Sequence, residues 1–99
     1  MSKDIHNESV DKLFEAILTL RSVEECYTFF EDACTVNELK AIAQRFEVAR
    51  MLKENQTYMH ISKVTGASTA TISRVKRSFD YGHDGYEMVL ARLNENEAQ

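Results

Sequence analysis

A chain of 99 residues holds one domain core, and 43% hydrophobic with 28% charged residues is an ordinary soluble mixture that excludes a disordered or fibrous chain. With no Pro and only three Gly, strand-and-turn architectures lack their punctuation, and helices joined by short connections are favoured. The formal net charge is −4, but residues 57–79 carry Lys63, Arg74, Lys76 and Arg77 with no acid, while residues 1–56 and 80–99 each sum to −4. Such a block marks either a contact with something negative or a solvated basic helix face.

The first eight residues, Met1 to Glu8, are polar and read as a flexible N-terminus without the apolar stretch of a secretory signal. No apolar run approaches the ~20 residues that span a bilayer. Cys26 and Cys34 are read as reduced core thiols of a cytoplasmic chain; on one helix they lie about 12 Å apart, too far to bridge. Val10, Leu13, Phe14, Ile17, Leu18 and Leu20 fall at helical spacing and predict a helix over about 9–20. Ser22-Val23-Glu24-Glu25 is a capping box that opens a second helix through Ala33. A second box, Thr35-Val36-Asn37-Glu38, opens the longest helix, which runs to about Lys53. Its apolar residues Leu39, Ile42, Ala43, Phe46, Val48, Ala49, Met51 and Leu52 surround much of the cylinder. A helix of that kind is buried on several sides, more than one short chain can supply.

After the polar break Glu54-Asn55-Gln56, Thr57 caps a short helix to Val64, Gly66 follows, and Ser68 or Thr69 caps another helix to about Phe79. Asp80 to Gly85 has loop chemistry, Asp84-Gly85-Tyr86-Glu87 repeats the capping pattern, and a last helix carries Met88, Val89, Leu90 and Leu93. The tail 94–99 is polar and expected to fray. The chain therefore reads as all-α, with six helices in a single domain over 9–93.

The segment Thr57–Phe79 has the layout of a helix-turn-helix. Gly66 serves as the turn glycine, Ile61 precedes it by five residues, and Ile72 and Val75 follow on one face, so these three side chains form the clamp between the helices. The second helix is left with Ser68, Thr69, Ala70 and Ser73, small enough for close approach to base edges, and Arg74, Lys76 and Arg77, which with Lys63 can reach phosphate or guanine. A plain helical hairpin in a bundle shares this pattern.

Gly66-Ala67, Ala70-Thr71-Ile72-Ser73-Arg74, and upstream Thr35 to Ile42 with Arg45, resemble the Trp repressor family, and the run Ile72–Gly82 resembles its TrpR-related YerC/YecD group. The resemblance covers about residues 10–93. It implies an intertwined homodimer bound to double-stranded DNA, with two reading helices in successive major grooves about 34 Å apart and a palindromic site. It also implies an effector pocket at Thr35, Arg45, Thr71, Arg74 and Ser78, where the family's namesake holds tryptophan. Val75 stands where the namesake has a glycine beside the indole, so a branched side chain fills the ring's space and tryptophan is not expected. Arg45 and Arg74 then pair with acids such as Glu38 or Glu47.

His6, His60 and His83 are scattered and form no metal spacing with the cysteines, and no nucleophile–base pairing or phosphate loop is visible. Neither a cofactor nor catalysis is expected. Two functions remain: a sequence-specific DNA-binding regulator, or a helical interaction module whose basic hairpin docks an acidic partner.

Overall fold

The computed structural model describes residues 4–97. Residues 1–3 of the predicted flexible N-terminus, and residues 98 and 99 of the predicted tail, lie outside the described residues. Six helices follow one another, α1 (Glu8–Ile17), α2 (Val23–Ala33), α3 (Val36–Lys53), α4 (Tyr58–Thr65), α5 (Thr69–Tyr81) and α6 (Gly85–Glu97), with no strand among the described residues. The fold is all-α, as the sequence predicts. The chain divides into two units, residues 1–36 and 37–99.

In the first unit, Asn7 caps α1 by accepting the Val10 N–H at 2.9 Å, and Glu8 and Asp11 place negative charge at the positive end of the helix dipole. The helix ends at Ile17, short of the predicted boundary. There the Thr19 hydroxyl donates to the Ala16 carbonyl at 2.6 Å, and the Thr19 and Leu20 amides close tight turns onto Ala16 and Ile17. The α2 capping box forms with one change. Ser22 Oγ accepts the Glu25 N–H at 3.1 Å, while the Glu25 carboxylate accepts the amide of Arg21 at 2.8 Å. No residue of α1 or α2 is buried, and Phe14 and Tyr27 stand 49% and 57% exposed. The cysteines accordingly are not core thiols: both are free, Cys26 exposed and Cys34 half-buried.

The second unit holds the core. Val48, Ala49 and Met51 of α3 pack with Ile61 of α4, Ala67 of the turn, and Ile72 and Val75 of α5, with Leu52, Phe79 and Tyr86 against them. Thr57 caps α4 by accepting the His60 N–H at 3.1 Å, and Ser68 caps α5 by accepting the Thr71 N–H at 3.1 Å. Between them Gly66 adopts φ 75°, a left-handed conformation that a β-carbon disfavours, and its N–H returns to the Ser62 carbonyl at 2.8 Å. The turn is closed by its own side chains: Ser62 Oγ donates to the Ala67 carbonyl at 2.8 Å, and Thr65 Oγ1 accepts the Ala67 N–H at 3.1 Å. Gln44 of α3 donates to the Thr65 carbonyl at 3.2 Å, tying the end of α4 to the long helix.

Both ends of α6 differ from the sequence reading. Asp84 does not act as an ordinary extended cap for α6; it takes φ 61°, and its carbonyl accepts the Met88 N–H at 3.0 Å. The helix then continues to Glu97, through residues 94–97 of the predicted tail.

Ile72 is fully buried between α4 and α5. Ile72→Ala is expected to lower stability by about 2–5 kcal/mol through lost burial and an unfilled cavity, measured by urea unfolding at fixed protein concentration.

Candidate nucleic-acid interface

An α-helix returns to one face every three or four residues. Ile72, Val75 and Phe79 give α5 its inner face, and Thr69, Ala70, Ser73, Arg74 and Arg77 are exposed on the outer one. Lys63 is exposed on α4. Ser68 is exposed too, with its hydroxyl engaged at the helix start, where it also donates to Thr71 Oγ1 at 3.1 Å. Lys76 stands apart from this group. It lies one turn beyond Ile72, on the flank of the helix, and its Nζ meets Asp80 Oδ1 at 3.2 Å.

The structure adds a residue that the sequence reading assigned to a loop. The second helix continues past Phe79 to Tyr81, so Tyr81 falls one turn beyond Arg77 and is 85% exposed. The extension depends on Gly82. Its N–H reaches the Ser78 carbonyl at 2.9 Å, and a β-carbon there would lie 2.4 Å from that oxygen, a distance that bonded backbone cannot give up. A Gly directly after a helical run was the available signal.

Five other charged groups on the second unit are paired internally. Arg50 donates to both oxygens of Glu47 and, through Nη1, to Glu54 at 3.0 Å. The hydrogen bond from Arg50, against opposing desolvation, holds the Glu47 carboxyl below its ordinary value, and the same bond raises Arg50. Lys53 bridges from α3 to Glu87 of α6 at 2.8 Å. Glu47 is thus the partner of Arg50, not of Arg45 or Arg74. No ion pair engages Lys63, Arg74 or Arg77 among the described residues.

Of the residues of the implied effector pocket, Arg45 and Thr71 are half-buried, while Arg74 and Ser78 are exposed on α5, with Ser78 Oγ donating to the Arg74 carbonyl at 3.3 Å. Thr35 belongs to the first unit. An open groove of about 530 Å³ is lined by Phe46, Ser78, His83, Tyr86, Met88 and Val89, with Gly82 and Gly85. It shares Ser78 alone with that set. Val75 is 2% exposed and belongs to the core cluster. Among the described residues, no three His, Cys, Asp or Glu side chains gather to hold a metal ion, and no helix is long and apolar enough to cross a membrane.

A glycine-turned pair of capped helices, clamped by Ile61, Ile72 and Val75 and offering an outer face whose one acid, Asp80, is paired with Lys76, defines a helix-turn-helix protein. The family model of the Trp repressor protein matches residues 8–94, and the chain belongs to that family. It is 56% identical over 95 residues to the uncharacterized protein YerC of Bacillus subtilis (strain 168), covering 96% of this chain and 91% of that one. Among solved structures it resembles a TrpR-like protein from Eubacterium eligens ATCC 27750, with a TM-score of 0.90, 54% identity and coverage of 94% and 96% of the two chains. It also resembles a candidate Trp repressor from Staphylococcus aureus, with a TM-score of 0.88, 54% identity and coverage of 91% and 90%.

The Glu47–Arg50 contact carries a pH signature. A carboxyl whose folded value is depressed contributes stability that is present above its unfolded value, about 4.3, and lost as pH falls through the folded value. Glu47→Gln is therefore expected to make the acid limb of the stability curve shallower below about pH 4.3, read by thermal unfolding from neutral pH downward.

Proposed function

We propose that this protein is a sequence-specific DNA-binding transcriptional regulator, a repressor, acting as a homodimer on a palindromic operator in the cytoplasm. The observation that carries the reading is the outer face of α5, where small hydroxyl and methyl side chains at the N-terminal end give way to arginines without internal partners. On this reading Thr69 and Ser73 address base edges in the major groove, with Ser68 and Ala70 permitting close approach. Lys63, Arg74, Lys76 and Arg77 serve the phosphates, Lys76 with one of its three N–H donors still on Asp80. The protein carries out no catalysis and needs no cofactor.

Dimerisation is supported by the apolar surface that a single chain leaves in water. No side chain of α1 or α2 is buried, and Ile42 of α3 with Met88, Val89 and Leu93 of α6 remain between 41% and 51% exposed. Family membership points the same way, to an intertwined pair in which a second copy covers these faces. Two reading helices about 34 Å apart then meet successive grooves on one side of the duplex.

Tryptophan is not the effector on this reading. Val75 is held in the core with Ile61 and Ile72, so a ring seated beside it would displace packed side chains. Arg45, Thr71, Arg74 and Ser78 remain the place to look for any other effector. L-Tryptophan at millimolar concentration is expected to give no saturable heat by titration calorimetry; micromolar saturation would reverse this conclusion.

The test of the main reading is the affinity for duplex DNA as a function of salt. A phosphate-binding dimer gives a log–log slope of several units. Arg77→Ala is expected to weaken binding to all duplexes alike and to reduce the slope by about one for each arginine lost. Thr69→Ala should instead change which base is preferred in a selection from random DNA. Weak binding that ignores both salt and sequence would favour the alternative, a basic hairpin that docks an acidic protein.

A further inference from the structure

We propose that Tyr81 is a further DNA contact, its phenolic hydroxyl donating a hydrogen bond to a backbone phosphate at the edge of the groove that α5 enters. The proposal rests on the reading of α5 given above and adds the residue that ends the interface.

Three observations carry it. First, Ser73, Arg77 and Tyr81 follow at intervals of four residues and are exposed, so they form one ridge on the outer face. Tyr81 is the far member of that ridge, one turn beyond an arginine. Second, the two aromatic side chains of α5 are treated differently by the fold. Phe79 stacks on Tyr86 with centroids 5.7 Å apart, whereas Tyr81 stands 85% in water at the last position of a capped helix. Gly82 fixes that position by its bond to the Ser78 carbonyl at 2.9 Å.

Third, the length of α5 sets where Tyr81 lies on a bound duplex. From Thr69 to Tyr81 the helix rises about 18 Å at 1.5 Å per residue, and the major groove is about 12 Å wide. A helix that brings Thr69 to the base edges and lies across the groove carries its C-terminal end beyond it, to the sugar–phosphate strand that bounds it. The last turn of a helix is the negative end of its dipole and does not by itself welcome phosphate. Two features offset this. The neighbouring acid, Asp80, is engaged by Lys76 at 3.2 Å, and Arg77 supplies positive charge on the ridge itself. A neutral O–H donor standing free in water at that position can reach a phosphate oxygen.

The experiment compares the unmodified protein with Tyr81→Phe, Tyr81→Ala and Arg77→Ala in fluorescence anisotropy titrations of duplex DNA at 50–200 mM salt, with sedimentation of each variant alongside. Tyr81→Phe removes one oxygen from an exposed ring and leaves folding intact. Loss of one hydrogen bond to an anionic phosphate per subunit should weaken binding at least about tenfold for the dimer, about a factor of three or more for each contact. The loss should be the same on every duplex, with the salt slope unchanged, whereas Arg77→Ala lowers the slope. Unchanged affinity in Tyr81→Phe overturns the proposal, as does weakening confined to Tyr81→Ala, which would assign the ring and not the hydroxyl. A fall in sedimenting mass of Tyr81→Phe would overturn it in favour of a contact between copies. If the unmodified protein binds duplex DNA without salt dependence, the proposed function fails together with this assignment, and the two failures are thereby told apart.

Discussion

The left-handed turn at Gly66 is the constraint on which the rest of the second unit depends. It reverses the chain within three residues, between the end of α4 and the cap of α5, and so delivers Ile61, Ile72 and Val75 to one another. Once those three are buried, the rotation of α5 about its own axis has no freedom left. Every residue that faces outward does so because a neighbour three or four positions away faces inward. The interface is in this sense the reverse side of a hydrophobic clamp. Gln44 extends the constraint to α3 by holding the Thr65 carbonyl, so the turn is anchored to the helix that supplies Val48, Ala49 and Met51.

Charge is arranged by subtraction. The chain as a whole is acidic, at −4, yet four acids of the second unit are held by cations of that unit. Glu47 and Glu54 are bound to Arg50, Glu87 to Lys53, and Asp80 to Lys76. What remains on the outer ridge are arginines in water. Surface ion pairs of this kind add little to stability; their consequence here is to neutralise carboxylates that would repel a polyanion.

The sequence displayed this half of the molecule well because its signals are local. Ser22, Thr57 and Ser68 cap the helices they were read to cap, since a short hydroxyl side chain before an apolar run has one good use. Ile61, Ile72 and Val75 are buried as their spacing required. The errors fall where another contact, or the lack of one, outweighed the rule that was applied. Asp80-Tyr81-Gly82 looks like loop, but the bond from Gly82 to Ser78 carries the helix through Tyr81 and adds a residue to the outer ridge. Cys26 has the composition of a core residue and is exposed, because α2 buries nothing within its own unit. The pairing expected between Glu47 and the pocket arginines fails for a geometric reason: Arg50, three residues along and on the same face of the helix, takes the carboxylate.

The central claim is that α5 presents Thr69 and Ser73 to the major groove of duplex DNA, with Arg77 on the phosphates beside it. Methylation of guanine N7 marks that groove and no other, so methylation interference on a selected binding site tests the claim most directly. The account predicts two clusters of interfering guanines on one face of the duplex, about 34 Å apart. Interference confined to adenine N3 in the minor groove, or none at all on DNA that is demonstrably bound, would contradict it.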